Sequence, residues 1–179
     1  MRSLASFYDA RKPDVLAIAR MTPGDALALA TRFSLQWAYR GRQAVFWQNA
    51  FTNARCEDPY LPFHLTRPLD RRALVRVDVE NASRTVTLAA TQFARTETQR
   101  IPELRFVRKV LRAVERRAIF FAYLYPQHAR FNDLAFNDAT RAFEGPLRIF
   151  VRDAAVENVE MLPQLRGISP VALARVAIA

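Results

Sequence analysis

The sequence predicts an α+β protein, with a small, mostly antiparallel sheet packed by helices. Three observations predict it. Apolar and polar residues alternate in "ALVRVDVE" and "TVTLAATQF", which gives a β-hairpin over about 73–93, and "PLRIFVRD" repeats the alternation over about 146–152. An apolar stripe at 3-4 spacing predicts a long helix over about 102–125. Glycine is scarce, at four residues, and phenylalanine is abundant, at thirteen, which favours helices over an aromatic core rather than a glycine-rich barrel. A chain of 179 residues fits a single domain over 1–179.

Taken in order, "TPGDALALATRFSLQWAYR" opens on Thr22 as a helix cap, with Pro23 at the first helical position and Asp25 at the third. Leu27, Ala30, Ser34 and Trp37 share one helical face, and "RQAVFWQNAF" beyond Gly41 reads as a second helix, so a helical pair is expected over about 23–53. Pro59, Pro62 and Pro68 forbid a helix or a central strand and predict an extended connector over about 57–70 that packs Tyr60 and Phe63 along the surface. In the hairpin Val75, Val77 and Val79 face one way, and Arg76, Asp78 and Glu80 the other. The carboxylates there are natural cross-strand partners for Arg76 or Arg84. After the long helix come a tandem "FND" repeat in a loop or short helix, then the strand at 146–152. "AVENVEMLPQ" is ambiguous, and "SPVALARVAI" has the start signal of a helix.

Charge is the chain's most distinctive property. The net charge is +10, and of 27 basic residues all but Lys12 and Lys109 are arginine. Residues 62–130 hold fourteen basic and six acidic side chains, net +8, so the excess sits in the middle third. On the long helix Leu104, Val107, Leu111, Val114, Ala118, Phe121 and Tyr125 form the apolar stripe. Arg105, Arg108, Lys109, Arg112 and Arg116 occupy the opposite stripe, within about 100° of arc. Glu103 and Glu115 have no basic residue four positions on, so the stripe has little compensation within its own helix. With Arg71, Arg72, Arg76 and Arg84 from the hairpin and its approach, these residues make a surface for phosphates.

That surface predicts a non-enzymatic basic protein that contacts nucleic acid, DNA or RNA, through its phosphate backbone with little sequence readout. An alternative is a structural or assembly subunit of a larger complex, such as a virion, a secretion or conjugation apparatus or a nucleoprotein particle, whose arginine face pairs with an acidic protein partner or with a second copy in a homo-oligomer. A third reading is an enzyme on an anionic substrate, with His128 or His64 as the acid–base group.

Other patterns lead to weaker chemistry. Arg32, Trp37, Tyr39, Arg40, Arg42, Phe46, Trp47 and Phe51 interleave cations with aromatics, as a stacking platform for unpaired bases would, although their spacing favours core packing. His64, His128 and Cys56 lie far apart with no zinc-ligand spacing, and "FNDLAFND" does not match a calcium loop. No cofactor or metal is therefore expected, and no Walker loop, G-x-G-x-x-G or G-x-S-x-G is present. The single cysteine excludes an intrachain disulfide. The longest apolar run, Ala118–Tyr125, is too short to span a bilayer. With no apolar leader near Met1, a cytoplasmic location is expected.

Overall fold

The computed structural model describes residues 2–57, 59–62, 72–81, 84–114, 117–124, 131–138, 146–162 and 171–178. Two sheets lie face to face, with helices on both outer faces, so the layers run helix, sheet, sheet, helix. This corrects the predicted single small sheet.

The first layer holds α1 (Arg2–Arg11) and α2 (Pro23–Phe33). Thr22 caps α2 by accepting from the Asp25 backbone N–H at 3.1 Å, and Ser34 ends it in the left-handed conformation at φ 53°. Residues beyond Ser34 are strands, which corrects the helical pair expected over about 23–53. The first sheet contains β1 (Val15–Ala19), β2 (Gln36–Arg40) and β3 (Gln43–Trp47), in the order β1-β3-β2, all antiparallel. All five residues of β3 are buried: Ala44 and Phe46 face the helices, while Val45 and Trp47 face the second sheet. A strand covered on both faces is one continuous apolar run, and periodicity cannot tell such a run from a buried helix.

The second sheet has six strands, β4 (Thr52–Glu57), β5 (Leu74–Asn81), β6 (Arg84–Gln92), β7 (Ala118–Tyr123), β8 (Asn137–Asp138) and β9 (Leu147–Arg152), in the order β4-β5-β6-β7-β9-β8. β5 and β6 form the antiparallel pair that the alternation indicates. β6 and β7, in contrast, are parallel, so the sheet is mixed. Their connection carries α3 (Glu97–Arg112), which makes β6-α3-β7 a strand–helix–strand crossover. The helix expected over about 102–125 therefore begins earlier and stops at Arg112, and the apolar run "AIFFAY" is the central strand β7. On β7 Phe120 and Ala122 face α3, while Ile119 and Phe121 face the first sheet.

Three apolar clusters hold the layers together. Between the sheets, Ala38, Val45 and Trp47 meet Val75, Val77, Val79, Leu88, Ala90, Ile119, Ile149 and Val151. Under α3, Val107, Leu111 and Val114 pack on Leu74, Ala89 and an aromatic triad of Phe120, Phe131 and Phe150, whose ring centroids are 4.8–5.8 Å apart. Such ring pairs contribute about 0.5–1.5 kcal/mol each beyond their buried area. Over the first sheet, Leu4 and Phe7 of α1 and Ala26, Leu29 and Ala30 of α2 cover Ala44 and Phe46. Finally, β10 (Ala154–Leu162) and β11 (Val171–Ile178) pair antiparallel. Val171–Ile178 is thus a strand where "SPVALARVAI" gave the start signal of a helix. Among the described residues no helix is long and apolar enough to cross a membrane.

Candidate functional site

In sheets that contain parallel strands, ligand sites form beyond the carboxyl ends of those strands. Here β6 ends at Gln92 and β7 at Tyr123, and these two residues are direct register partners. Both continue the rows that face the first sheet, Leu88–Ala90 on β6 and Ile119–Phe121 on β7, so their side chains lie at the open end of the inter-sheet layer. From the first sheet β1 ends at Ala19, and Arg20 follows with φ 62°. The Arg20 guanidinium carbon stands 5.8 Å from the centre of the Tyr123 ring. In the amide orientation that matches donors with acceptors, the Gln92 side-chain oxygen accepts from Arg20 Nε at 3.2 Å and Nη2 at 3.3 Å. That leaves the Gln92 amide nitrogen as a donor. A cation, an amide and a phenol thus converge at a sandwich end that opens to solvent.

The backbone around this mouth is tightly tied. Met21 N–H donates to the Arg42 carbonyl at 3.1 Å, and Tyr39 Oη donates to the Met21 carbonyl at 3.2 Å. The turn between β2 and β3 places Gly41 at φ 52° and Arg42 at φ 65°, the pair of positive angles that a two-residue hairpin turn of type I′ needs. Arg20 and Arg42 are therefore two arginines in the left-handed region at one end of the fold, a conformation that costs a non-glycine residue about 1–2 kcal/mol. Below them Thr91 Oγ1 donates to the Ala73 carbonyl at 2.8 Å and joins the end of β6 to the start of β5.

Glu103 of α3 fixes the loop that follows Gln92. Its side chain is 1% exposed. Oε1 accepts from Arg72 Nε at 2.9 Å and Nη2 at 2.7 Å, and Oε2 accepts from the Ala94 N–H at 2.7 Å. Arg100, also buried, donates to the Arg95 carbonyl at 2.8 Å and closes the same loop.

The arginines singled out in the sequence have divergent surroundings. Arg105 and Lys109 are exposed on α3. Arg108 and Arg112 lie 4.0 and 3.9 Å from Asp133, so the ridge does have an anionic neighbour. Arg72 is held by Glu103. Arg76 is held by Glu57 at 3.0 Å and Asp78 at 3.6 Å, on the outer face of the sheet. Arg84 begins β6, at the end away from the mouth. Arg71, Arg116, His64 and His128 lie outside the described residues, as does most of the predicted connector. Phe46 and Trp47 of the cation–aromatic segment are core, whereas Arg40 and Arg42 are exposed at the β2–β3 turn. Among the described residues no group of three or more His, Cys, Asp or Glu is placed to hold a metal ion. A cleft of about 450 Å³ near Tyr8, Lys12, Phe33 and Asn49 lies at the opposite end of the first sheet.

Arg20, Gln92 and Tyr123 were missed by sequence reasoning. Each is an isolated polar residue at or just past the end of a strand: the parallel register of β6 and β7 joins Gln92 to Tyr123, and the packing of the two sheets brings Arg20 to them.

The layered sandwich is the fold of endonuclease/exonuclease/phosphatase proteins. An endonuclease/exonuclease/phosphatase from Bacteroides vulgatus matches with a TM-score of 0.79 at 12% identity, over 98% of this chain and 89% of that one. A mannosyl-6-phosphatase from Bacteroides thetaiotaomicron matches at 0.74 with 11% identity, over 93% and 84%. TDP2 from D. rerio, complexed with a single-strand DNA product, matches at 0.71 with 15% identity, over 94% and 86%. No protein family and no curated protein matches the sequence itself. At these identities the likeness establishes the fold. It also corrects the expectation of a non-enzymatic basic protein and its assembly-subunit alternative, since the structures sharing this architecture include ones named endonuclease/exonuclease/phosphatase and mannosyl-6-phosphatase.

Proposed function

We propose that this chain is a phosphoester-directed enzyme, a nuclease or phosphatase, that receives its substrate phosphate at the Arg20–Gln92–Tyr123 mouth. The observation that carries the proposal is the convergence of these three side chains at the carboxyl ends of β1, β6 and β7, in a fold shared with phosphatases and nucleases. A guanidinium with one edge fixed by Gln92 presents preoriented donors to the non-bridging oxygens of a phosphate, where charge accumulates in phosphoryl transfer. The Gln92 amide nitrogen supplies a further donor, and the Tyr123 ring backs the guanidinium. The groups described at the mouth bind and orient the phosphate. The substrate carrying it is proposed to be a nucleic-acid strand, which suits the basic balance of the chain and the DNA product held by the D. rerio protein.

The test is a panel of single-stranded DNA, RNA and sugar phosphates in divalent-salt buffer, followed by release of phosphate and shortening of strands. Turnover by the wild-type chain, with kcat/KM lowered about 10²–10³-fold in Arg20→Ala, is expected. Absence of turnover on every ester sinks the proposal. Arg105 and Lys109 enter as outlying contacts for a long strand. Reversing both to Glu should raise KM and lower the slope of log affinity against log salt by about 1.4, the share of two phosphates on a single strand. An unchanged slope removes them from the interface.

A further inference from the structure

Gln43 opens β3 at the mouth and is buried, at 2% exposure. Its register partners are Ala19 on β1 and Arg40 on β2. Val45 and Trp47 of the same strand face the second sheet, and alternation puts Gln43 on that face too. Ala19, Gln43 and Arg40 thus form one row across the end of the first sheet. Two contacts fix what lies opposite that row. Next to Ala19, Arg20 reaches Gln92 and Tyr123. At the other end of the row, the Arg40 guanidinium carbon lies 4.6 Å from the centre of the Tyr60 ring. Gln43 stands between these two bridges, so its side chain enters the inter-sheet layer at the middle of the mouth. Its amide makes no hydrogen bond to any described residue, and neither amide atom is wholly sealed from solvent.

We infer that Gln43 is a specificity-determining residue that hydrogen-bonds a sugar hydroxyl beside the phosphate at Arg20, so that the site selects ribonucleic over deoxyribonucleic strands. This names the substrate class of the proposed site and rests on that reading for the position of the phosphate. A primary amide carries two N–H donors and an acceptor oxygen. A phosphodiester oxygen only accepts, so it pairs the nitrogen and leaves the amide oxygen unmet. A hydroxyl both donates and accepts, and can meet either end of the amide. In a nucleic-acid strand the free hydroxyl next to a phosphate is the ribose 2′-OH, the group by which a protein separates RNA from DNA. Burial gives the preference its size. Against a deoxy strand the amide is cut off from water and gains no partner in exchange.

The experiment measures binding of labelled oligouridylate and of oligodeoxyuridylate of the same length to the full chain by fluorescence anisotropy. Wild type should bind the ribo strand about 5- to 100-fold more tightly, the range of one buried polar group left unpaired. Gln43→Met keeps the unbranched shape and removes the amide. It should bring the ribo strand down to the deoxy one while holding the deoxy strand no more weakly than wild type does. Its urea midpoint should not fall, because no hydrogen bond within the fold is lost. Equal affinity of wild type for the two strands, or an unchanged preference in Gln43→Met, overturns the assignment. So does a lowered midpoint with an equal loss on both strands, the mark of a structural residue. If the wild-type chain hydrolyses no ester yet shows the Gln43-dependent preference, the enzyme reading falls and the hydroxyl site stands. Hydrolysis of strands without that preference gives the reverse.

Discussion

Replacing Glu103 by alanine removes the joint beneath the mouth. The carboxylate is almost wholly buried, and three donors converge on it at 2.7–2.9 Å. Alanine would leave the Arg72 guanidinium, itself only 14% exposed, without this partner, and would strip the Ala94 N–H of its acceptor. Breaking one side of a buried ion pair costs about 3–5 kcal/mol, because the remaining charge stays desolvated. Urea unfolding is the assay. The midpoint should fall by that energy divided by the m-value while m itself is kept, and the melting temperature should fall by about 6–20 °C for a chain of this size. Glu103→Gln keeps an acceptor for the Ala94 N–H and should lose about 1–3 kcal/mol. An apolar pair, Arg72→Met with Glu103→Leu, should recover most of the stability, because neither charge is then buried. A Glu103→Ala protein within about 0.5 kcal/mol of wild type, the range of an ordinary surface change, would refute the reasoning.

Two further outcomes follow from local geometry. Arg42→Gly relieves a left-handed arginine, and after the extra entropy of glycine in the unfolded chain it should stabilise by about 0.5–1 kcal/mol in the same urea assay. Burial pushes the Tyr8 phenol above its ordinary pKa, and the charge of Asp14 adds to that, while a hydrogen bond with Gln48 works the other way. A group raised on folding contributes stability in full below its unfolded pKa of about 10, and that contribution is lost as pH rises toward the folded value. Unfolding free energies at pH 9 and pH 11 should therefore diverge less in Tyr8→Phe than in wild type.

The parts of the fold that were legible in the sequence are those with one wet face. β5 alternates because Arg76 and Asp78 sit on the outer face among polar partners, while Val75, Val77 and Val79 face the other sheet. β3 and β7 were illegible for the opposite reason. Each is buried on both faces, so "QAVFW" and "AIFFAY" lose the period of two and attach themselves to neighbouring helical patterns. On α3, Val107 and Leu111 continue by coincidence into Val114, Ala118 and Phe121 at 3-4 spacing, and nothing in the periodicity marks the break after Arg112. That misreading hid the parallel strand and, with it, the mouth. Arg40 and Tyr60 were both noted, one among cations and aromatics and the other in the proline-rich connector. Their meeting depends on the β2–β3 turn lying over the start of β5, a relation between two sheets that no local pattern encodes.

The charge of +10 has several destinations, and they act differently. Arg72 and Arg76 are matched by carboxylates, so each contributes a local dipole more than a net field. Arg100, Arg148 and Arg152 donate to backbone carbonyls: Arg100 to that of Arg95, Arg148 to that of Leu147, and Arg152 to those of Val114 and Leu134. Carbonyls satisfy the hydrogen bonds of a guanidinium without cancelling its charge, and burial lowers the Arg152 pKa while the charge of Asp153 works the other way. These arginines staple loops on the α3 side of the second sheet, and Arg148 also lies 4.0 Å from Asp138. Arg20, Arg40 and Arg42 carry their charge at the open end. Attraction for the proposed phosphate at the mouth therefore rests on the exposed Arg20, Arg40 and Arg42, not on the arginines that build the fold.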